Sequence, residues 1–424
     1  MEIELTYECL RESVQNSEAA LRCRTRLQPA GGEGDKVFPP TYAGAAYATE
    51  KRRIEGYAEP VECVLLDSVQ SQANRIEEAL QDAVDEGRLE LPVIEVDFSE
   101  VAILEPGDDG PGLYEPIGRV TSLQAPHRAA DAILRDSELD GQPFRQTEIG
   151  KKIGLANLRN ATPLFEICPT ALLLGLWDST GPKGGLGTKF QRALVSEIIG
   201  VDACYGTKSE SRIDPLGIRK DAAELYETSD GGWCLDPAAA VKEKSKPKRK
   251  GKDGKPSEAN HGNIVPSLSK IRDGVPVAGG ATIAYAQQIT VLSLPALRRL
   301  QFPLDGRVSA AANVAGRTVV AALGVCGAVL AAQRGLDLRS RCLLWPQAPL
   351  RWELLSAPSE APGEFTLSGD EAIELLSQAV AAAAQCGLTW QSQGLVLKPA
   401  DKLLELVRKS QQLAIVSGAS EGGE

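Results

Sequence analysis

A chain of 424 residues with 46 Lys and Arg against 57 Asp and Glu carries a formal charge of −11 and a pI near 5.1, enough for one large domain or two to three ordinary ones. With 43% hydrophobic and 24% charged residues, the composition is that of a folded globular protein and excludes a disordered tail. The longest nearly apolar run, 318–332, is 15 residues, short of the ~20 that a bilayer helix needs. No membrane span is expected, and the acidic start Met-Glu-Ile-Glu-Leu lacks an export signal, so the expected location is cytoplasmic.

Nine cysteines form an odd count, and the closest pair, Cys9 and Cys23, is 14 residues apart. Structural zinc sites use short Cys-x2-4-Cys hairpins, so neither a zinc site nor a disulfide framework is expected, and the cysteines read as small buried hydrophobes. Only two histidines occur, His127 and His261, which excludes a site needing three imidazoles. No metal and no cofactor is expected.

In chain order, residues 1–60 are mixed, with a glycine-rich break at Gly31–Gly34 and a loop at Pro39–Gly44. The aliphatic run Val61–Val69 suits a strand and leads into a helix over Gln70–Glu86, where Ile76, Leu80 and Val84 recur at i, i+4 and i+8. Leu91–Phe98 alternates as a strand does, and Pro126 suits the first turn of a helix reaching Asp136. Thr170–Trp177 is too short to classify by period. After the glycine-rich loop Ser179–Gly187, the spacing of Phe190, Leu194 and Ile198 predicts a helix over Thr188–Gly200. Lys242–Lys255 holds eight basic residues against two acidic ones and almost no apolar side chain, so 242–258 is expected to be a disordered basic loop. Ala281–Leu294 reads as a strand, Val308–Arg334 as one or two helices, Cys342–Trp345 and Leu350–Leu355 as strands, and Asp370–Cys386 and Ala400–Lys409 as helices. Strands and helices mix without strict alternation, which predicts an α+β fold and not a doubly wound sheet.

The net charge is unevenly spread. Glu77–Glu115 holds 13 acidic residues and one basic one, Arg88, a local −12 that leaves +1 on the rest of the chain. Lys183–Lys220 carries 7 basic residues against 4 acidic ones. Local charge decides binding, so nucleic acid stays open despite the global −11.

Four constellations carry chemistry. Leu66–Arg75 (LDSVQSQANR) sets amides, hydroxyls and Arg75 at a strand-to-helix junction. That suits a phosphate or ribose, and equally a capped helix with a polar face. Gln124–Arg128 with Arg135 forms a basic corner in which spacing alone favours a structural role for His127. The loop Gly181–Lys189, followed by Phe190-Gln191-Arg192, is the clearest local signal. Glycines let backbone amides approach phosphates, Lys183, Lys189 and Arg192 add charge, and a helix start would add more; the alternative is a plain linker. The loop lacks Gly-x4-Gly-Lys-Ser/Thr, so nucleotide hydrolysis is not implied. The tract Asn260–Pro266, with His261, closes the basic loop with polar groups able to reach a base or sugar.

Taken together and in order, LDSVQSQANR (66–75), SLQAPHRAADAILRDS (122–137), TALLLGLWDSTGPKGGLGTKFQRALVSEIIG (170–200) and HGNIVP (261–266) resemble the backbone subunit of type I-G (formerly I-U) CRISPR effector complexes, of the RAMP superfamily. The resemblance runs to about residue 300 and is less distinctive in the C-terminal third. It implies an RNA-recognition-motif-like (ferredoxin-like) palm with large insertions: an N-terminal segment 1–60, a first part of the palm over 61–204, an insertion over 205–280, the remainder of the palm and C-terminal helices over 281–416, and a disordered tail 417–424. It implies a non-catalytic antiviral-defence subunit that oligomerises along the CRISPR RNA and presents it to target DNA. The implied partners are the guide RNA, the target DNA strand, further copies of itself in a helical filament, the large subunit, the fused guide-processing and capping subunit, and a recruited helicase-nuclease.

The motif positions chemically suited to phosphate or ribose are Gln70, Gln72, Asn74 and Arg75; His127, Arg128 and Arg135; and Lys183, Lys189, Gln191 and Arg192; Arg52, Arg53 and His261 rank below them. The alternatives are a RAMP-type endoribonuclease acting on CRISPR or target RNA, with Asp67, Asp178 or His127 at the cleaved bond, and a small-molecule enzyme using the glycine-rich loop as a phosphate cradle.

Overall fold

The computed structural model describes residues 2–105, 110–181, 188–269, 271–272, 275–276, 279–356, 361–391 and 394–418. In chain order its main elements are α1 (Tyr7–Gln15), β1 (Ala20–Pro29), β2 (Thr49–Arg52), β3 (Val61–Asp67), α2 (Val69–Asp85), β4 (Ile94–Asp97), β5 (Arg119–Thr121), β6 (Ser137–Leu139) and β7 (Gln142–Pro143). There follow α3 (Glu148–Leu155), α4 (Thr170–Leu174), β8 (Leu176–Trp177), β9 (Lys189–Phe190), β10 (Leu194–Val201), β11 (Lys208–Arg212), β12 (Ile264–Ser269) and β13 (Tyr285–Ser293). The chain then runs through α5 (Ala310–Gln333), β14 (Leu336–Asp337), β15 (Leu343–Pro346), β16 (Trp352–Leu355), β17 (Gly363–Phe365), α6 (Gly369–Gln385), β18 (Leu395–Pro399) and α7 (Asp401–Gly418).

A nine-stranded antiparallel sheet runs β14-β15-β1-β13-β10-β3-β2, with β16 also paired to β1 and β17 to β16. A five-stranded sheet, β5-β4-β18-β6-β7, lies apart from it, and its β4 and β18 are parallel. The fold is mixed α+β, as the element pattern predicts.

Alternation explains the large sheet. Along β1, Leu21, Cys23, Thr25 and Leu27 are buried, while Arg22, Arg24 and Arg26 point to the other face. The helices cover the buried face, and α5 sits at their centre, packed on α1, α2 and α6. A serine caps each of the three longest of these: Ser68 accepts from the Ser71 N–H, Ser309 from Ala312 and Ser368 from Glu371. The small residues of α5 let its neighbours close in, and a Cβ at Gly327 would stand 2.8 Å from Ile76 Cγ2 of α2. By length and composition α5 is apolar enough to cross a bilayer, but 78% of its apolar window is buried inside the protein.

Several expectations need correction. Thr188–Gly200 is not a helix but the two strands β9 and β10. A spacing of four residues is shared by a helix face and by every second position on one face of a strand, and the alternating burial of Leu194, Ser196 and Ile198 shows the latter. The helix expected over 126–136 is a 3-10 turn, Arg128–Ala130, followed by a single helical turn, Ala132–Arg135. The basic tract is folded: Lys242–Glu243 pairs with Lys246–Pro247 across a turn with Lys244 and Ser245 at positive φ, and Pro256–Ala259 forms a 3-10 turn. Backbone bonds from Lys248 and Lys250 to Val241 and Leu225 tie it to the rest of the insertion, which supplies the order that its composition does not. The expected disordered tail begins inside α7, which runs to Gly418; residues 419–424 lie outside the described ones.

Candidate functional site

An open groove of 510 Å³ brings three distant segments together. Gln70 and Asn74, exposed one turn apart near the start of α2, form one wall. Pro126, His127 and Arg128 form the second, and Leu174–Trp177 with Lys189–Arg192 the third. The third wall is the β8-β9 hairpin, in which Leu176 pairs with Phe190 and Trp177 with Lys189. Gly175, at φ 89°, turns the chain from α4 into that hairpin; a Cβ there would strain the backbone and stand 3.0 Å from Arg192 Cγ.

The floor of the groove is an ion pair. Arg128 Nε and Nη2 donate to the two carboxylate oxygens of Glu77 at 2.6 and 2.8 Å, and Nη1 donates to the Gly175 carbonyl at 3.0 Å. Both side chains are buried, and Arg128 takes a left-handed backbone conformation, φ 52°. Burial pushes the Glu77 carboxyl up, to about 7, against the pull of Arg128 and Arg192. The two-pronged geometry is that of an ionised pair.

Above this floor lie cations with no carboxylate in ion-pair contact among the described residues: Arg192, exposed on the hairpin's return, and Lys189, whose Nζ lies 5.5 Å from the centre of the Trp177 ring. Desolvation and the like charge of Arg128 pull the Arg192 guanidinium below its ordinary value. Arg299 Nη1 donates to Gln191 Oε1 at 2.9 Å and adds a further positive group at the rim. The His127 side chain is exposed, while its backbone N–H donates to Asp131. The groove thus offers amides, an imidazole, an exposed indole and unpaired cations, a set suited to phosphates, sugars and a stacked base. Among the described residues, no three His, Cys, Asp or Glu side chains gather as metal ligands.

Of the residues singled out by sequence, Gln70, Asn74, His127, Lys189, Gln191 and Arg192 line this groove, and Arg128 underlies it. Arg128, expected at a phosphate, is a buried structural cation, because Glu77 needs its charge. Gln72 is also internal: its amide donates to Asp67 at 2.6 Å and its carbonyl accepts from Ser196 and Gln288, tying α2 to the sheet. Arg75 is taken up by Asp67, at 2.9 Å, and by the Leu338 carbonyl, at 2.7 Å. Arg135 pairs with Asp136 at 2.7 Å, which together with Lys402 holds that carboxyl down near 2. It lines a separate cavity of 140 Å³ with Arg145 and Lys151. Arg52 is paired with Glu50 and Glu197, and Arg53 is exposed but does not line the groove. His261 packs edge-on against Trp233 in the insertion, 5.8 Å between ring centres. Lys183 lies outside the described residues.

Sequence reasoning missed Trp177 in the groove and Arg299 at its rim. Trp177 is 57% exposed, and an aromatic immediately before a glycine-rich loop was the available signal. No local pattern marks Arg299.

Residues 21–204 match the family model described as CRISPR-associated protein GSU0053 (Cas_GSU0053). That span includes every residue lining the groove but not Arg299 at its rim. No curated protein matches the chain. Among solved structures, the crystal structure of Thermofilum pendens Csc2 aligns over 98% of this chain and 94% of its own, at 10% identity and a TM-score of 0.26, too loose a likeness to carry an argument.

Proposed function

We propose, from the match of residues 21–204 to the family model described as CRISPR-associated protein GSU0053, that this chain is a non-catalytic, RNA-binding backbone subunit of a type I CRISPR effector complex. The observation that carries this reading is the groove, where segments around 70–74, 126–128, 174–177 and 189–192 converge and leave Lys189 and Arg192 without carboxylate partners among the described residues. Cations of that kind track a phosphate backbone without reading its sequence, as a guide carrier requires. Gln70, Asn74, His127 and Gln191 add contacts to sugar and phosphate, and Trp177 offers a stacking surface.

The strand order supports an RNA-recognition-motif-like palm. Taken in chain order, β1, α2, β10, β13, α5 and β15 form a β-α-β-β-α-β series, and their strands lie side by side as β15-β1-β13-β10, all antiparallel. The candidate thumb is the ribbon of β11 with β12, whose Val265 and Leu268 are 80% and 74% exposed. In this reading, copies stack head to tail on one guide in the cytoplasm, with target DNA, the large subunit, the guide-processing and capping subunit and a helicase-nuclease as further partners.

Co-expression with a CRISPR array and the neighbouring genes, then size-exclusion chromatography and RNA extraction, tests this. The expected result is a large complex holding one discrete RNA length, with this chain in molar excess over the other subunits. An RNA-free monomer under the same conditions would sink the proposal.

A further inference from the structure

The hairpin that carries Trp177 and Lys189 to the groove is only two residue pairs long, and a ladder of that size does not hold itself in water. Its support lies behind it. The Asp178 N–H donates to the Thr188 carbonyl at 2.8 Å, which extends the ladder by one bond. The Asp178 carboxylate, with its side chain only 9% exposed, takes Arg145 Nη2 on both oxygens at 2.8 and 2.9 Å. Arg145 Nη1 also donates to the Thr180 carbonyl at 2.8 Å, and the Thr180 N–H donates to Asp178 at 3.0 Å. On the returning limb the Thr188 hydroxyl donates to the Gly154 carbonyl of α3 at 3.0 Å. Both limbs are therefore tied to one segment, 144–154, none of which lines the groove.

We propose that Arg145 is a positioning residue for nucleic-acid binding: it stays away from the bound strand and fixes the hairpin so that Trp177 and Lys189 stand in the groove. The assignment rests on the RNA-binding reading above. A guanidinium is required because one planar fork spans a carboxylate and a carbonyl together, which an ammonium does not. Removing it leaves Asp178 with a largely buried, uncompensated charge and frees the ladder to open.

The experiment measures binding of a single-stranded RNA to the full chain over a range of KCl for wild type, Arg145→Gln, Arg145→Lys, Asp178→Asn, Lys189→Ala and Arg145→Gln with Lys189→Ala. Hydrogen exchange at the Asp178 amide is followed in parallel. Arg145→Gln should lose protection at that amide and weaken binding by at least the roughly tenfold loss expected of Lys189→Ala itself, because Trp177 is displaced with it. Its salt slope should fall as in Lys189→Ala, the double variant should be no weaker than about twofold beyond Arg145→Gln alone, and Arg145→Lys should recover binding only in part. If Arg145→Gln fails to fold, near-isosteric Asp178→Asn tests the same clamp. Wild-type affinity in Arg145→Gln, or losses that multiply in the double variant, would overturn the proposal. Lost amide protection in a protein whose wild type binds no RNA would instead uphold the clamp and sink the RNA-binding reading.

Discussion

Replacing Lys189 and Arg192 together by alanine is expected to weaken binding of single-stranded RNA on the order of a hundredfold, and to do so for every sequence tested. Both side chains stand over the groove without carboxylate partners among the described residues, so each is free to meet a phosphate. Hydrogen bonds to charged groups are worth about 1.5–3 kcal/mol, and the open groove favours the low end, about tenfold for each residue. Each phosphate contact to a single strand also contributes about 0.7 to the slope of log affinity against log salt, so the double variant should lower that slope by about 1.4. Lys409→Ala, on α7 and outside the groove, should change neither quantity. Fluorescence anisotropy at several KCl concentrations measures both, and an unchanged slope would show that these cations do not face the phosphates.

The second large effect concerns stability. Arg128→Ala is expected to destabilise the fold by about 3–5 kcal/mol, because it leaves Glu77 buried without its two-pronged partner, where burial drives the carboxyl to its protonated, unsatisfied form. Glu77→Gln combined with Arg128→Met should cost much less, since both charges leave together. Urea unfolding of the two variants gives the comparison. If Arg128→Ala kept wild-type stability and lost RNA binding, the residue would be a contact and not the floor of the groove.

That pair also shows where sequence reading runs out. Arg128 in a basic corner reads as a solvated cation, and Glu77 sits 51 positions away inside the acidic stretch, so nothing local joins them. Gln72 and Arg75 fail for the same reason. Each also contacts Asp67 within its own motif, but their remaining partners Ser196, Gln288 and Leu338 arrive from other elements. What was legible depends on short-range rules. The strand-to-helix unit 61–85 followed from an aliphatic run and a clear period, and the central helix from an unbroken small-residue stretch. Gln70 and Asn74 line the groove from the exposed face of α2, opposite Ile76 and Leu80, but their chemistry alone does not separate them from the internal Gln72 and Arg75. The 188–200 segment misled because Phe190, Leu194 and Ile198 satisfy both periods. The β-branched residues Val195, Ile198 and Ile199 favoured the strand.

The most direct test of the groove as the RNA interface is ultraviolet crosslinking of the purified ribonucleoprotein, followed by mass spectrometry of the RNA-bearing peptides. Crosslinks are predicted at Trp177, with His127 next, since both line the groove with exposed rings. Crosslinks confined to the acidic stretch 77–115, or to the opposite sheet face bearing Arg22, Arg24 and Arg26, would contradict the account.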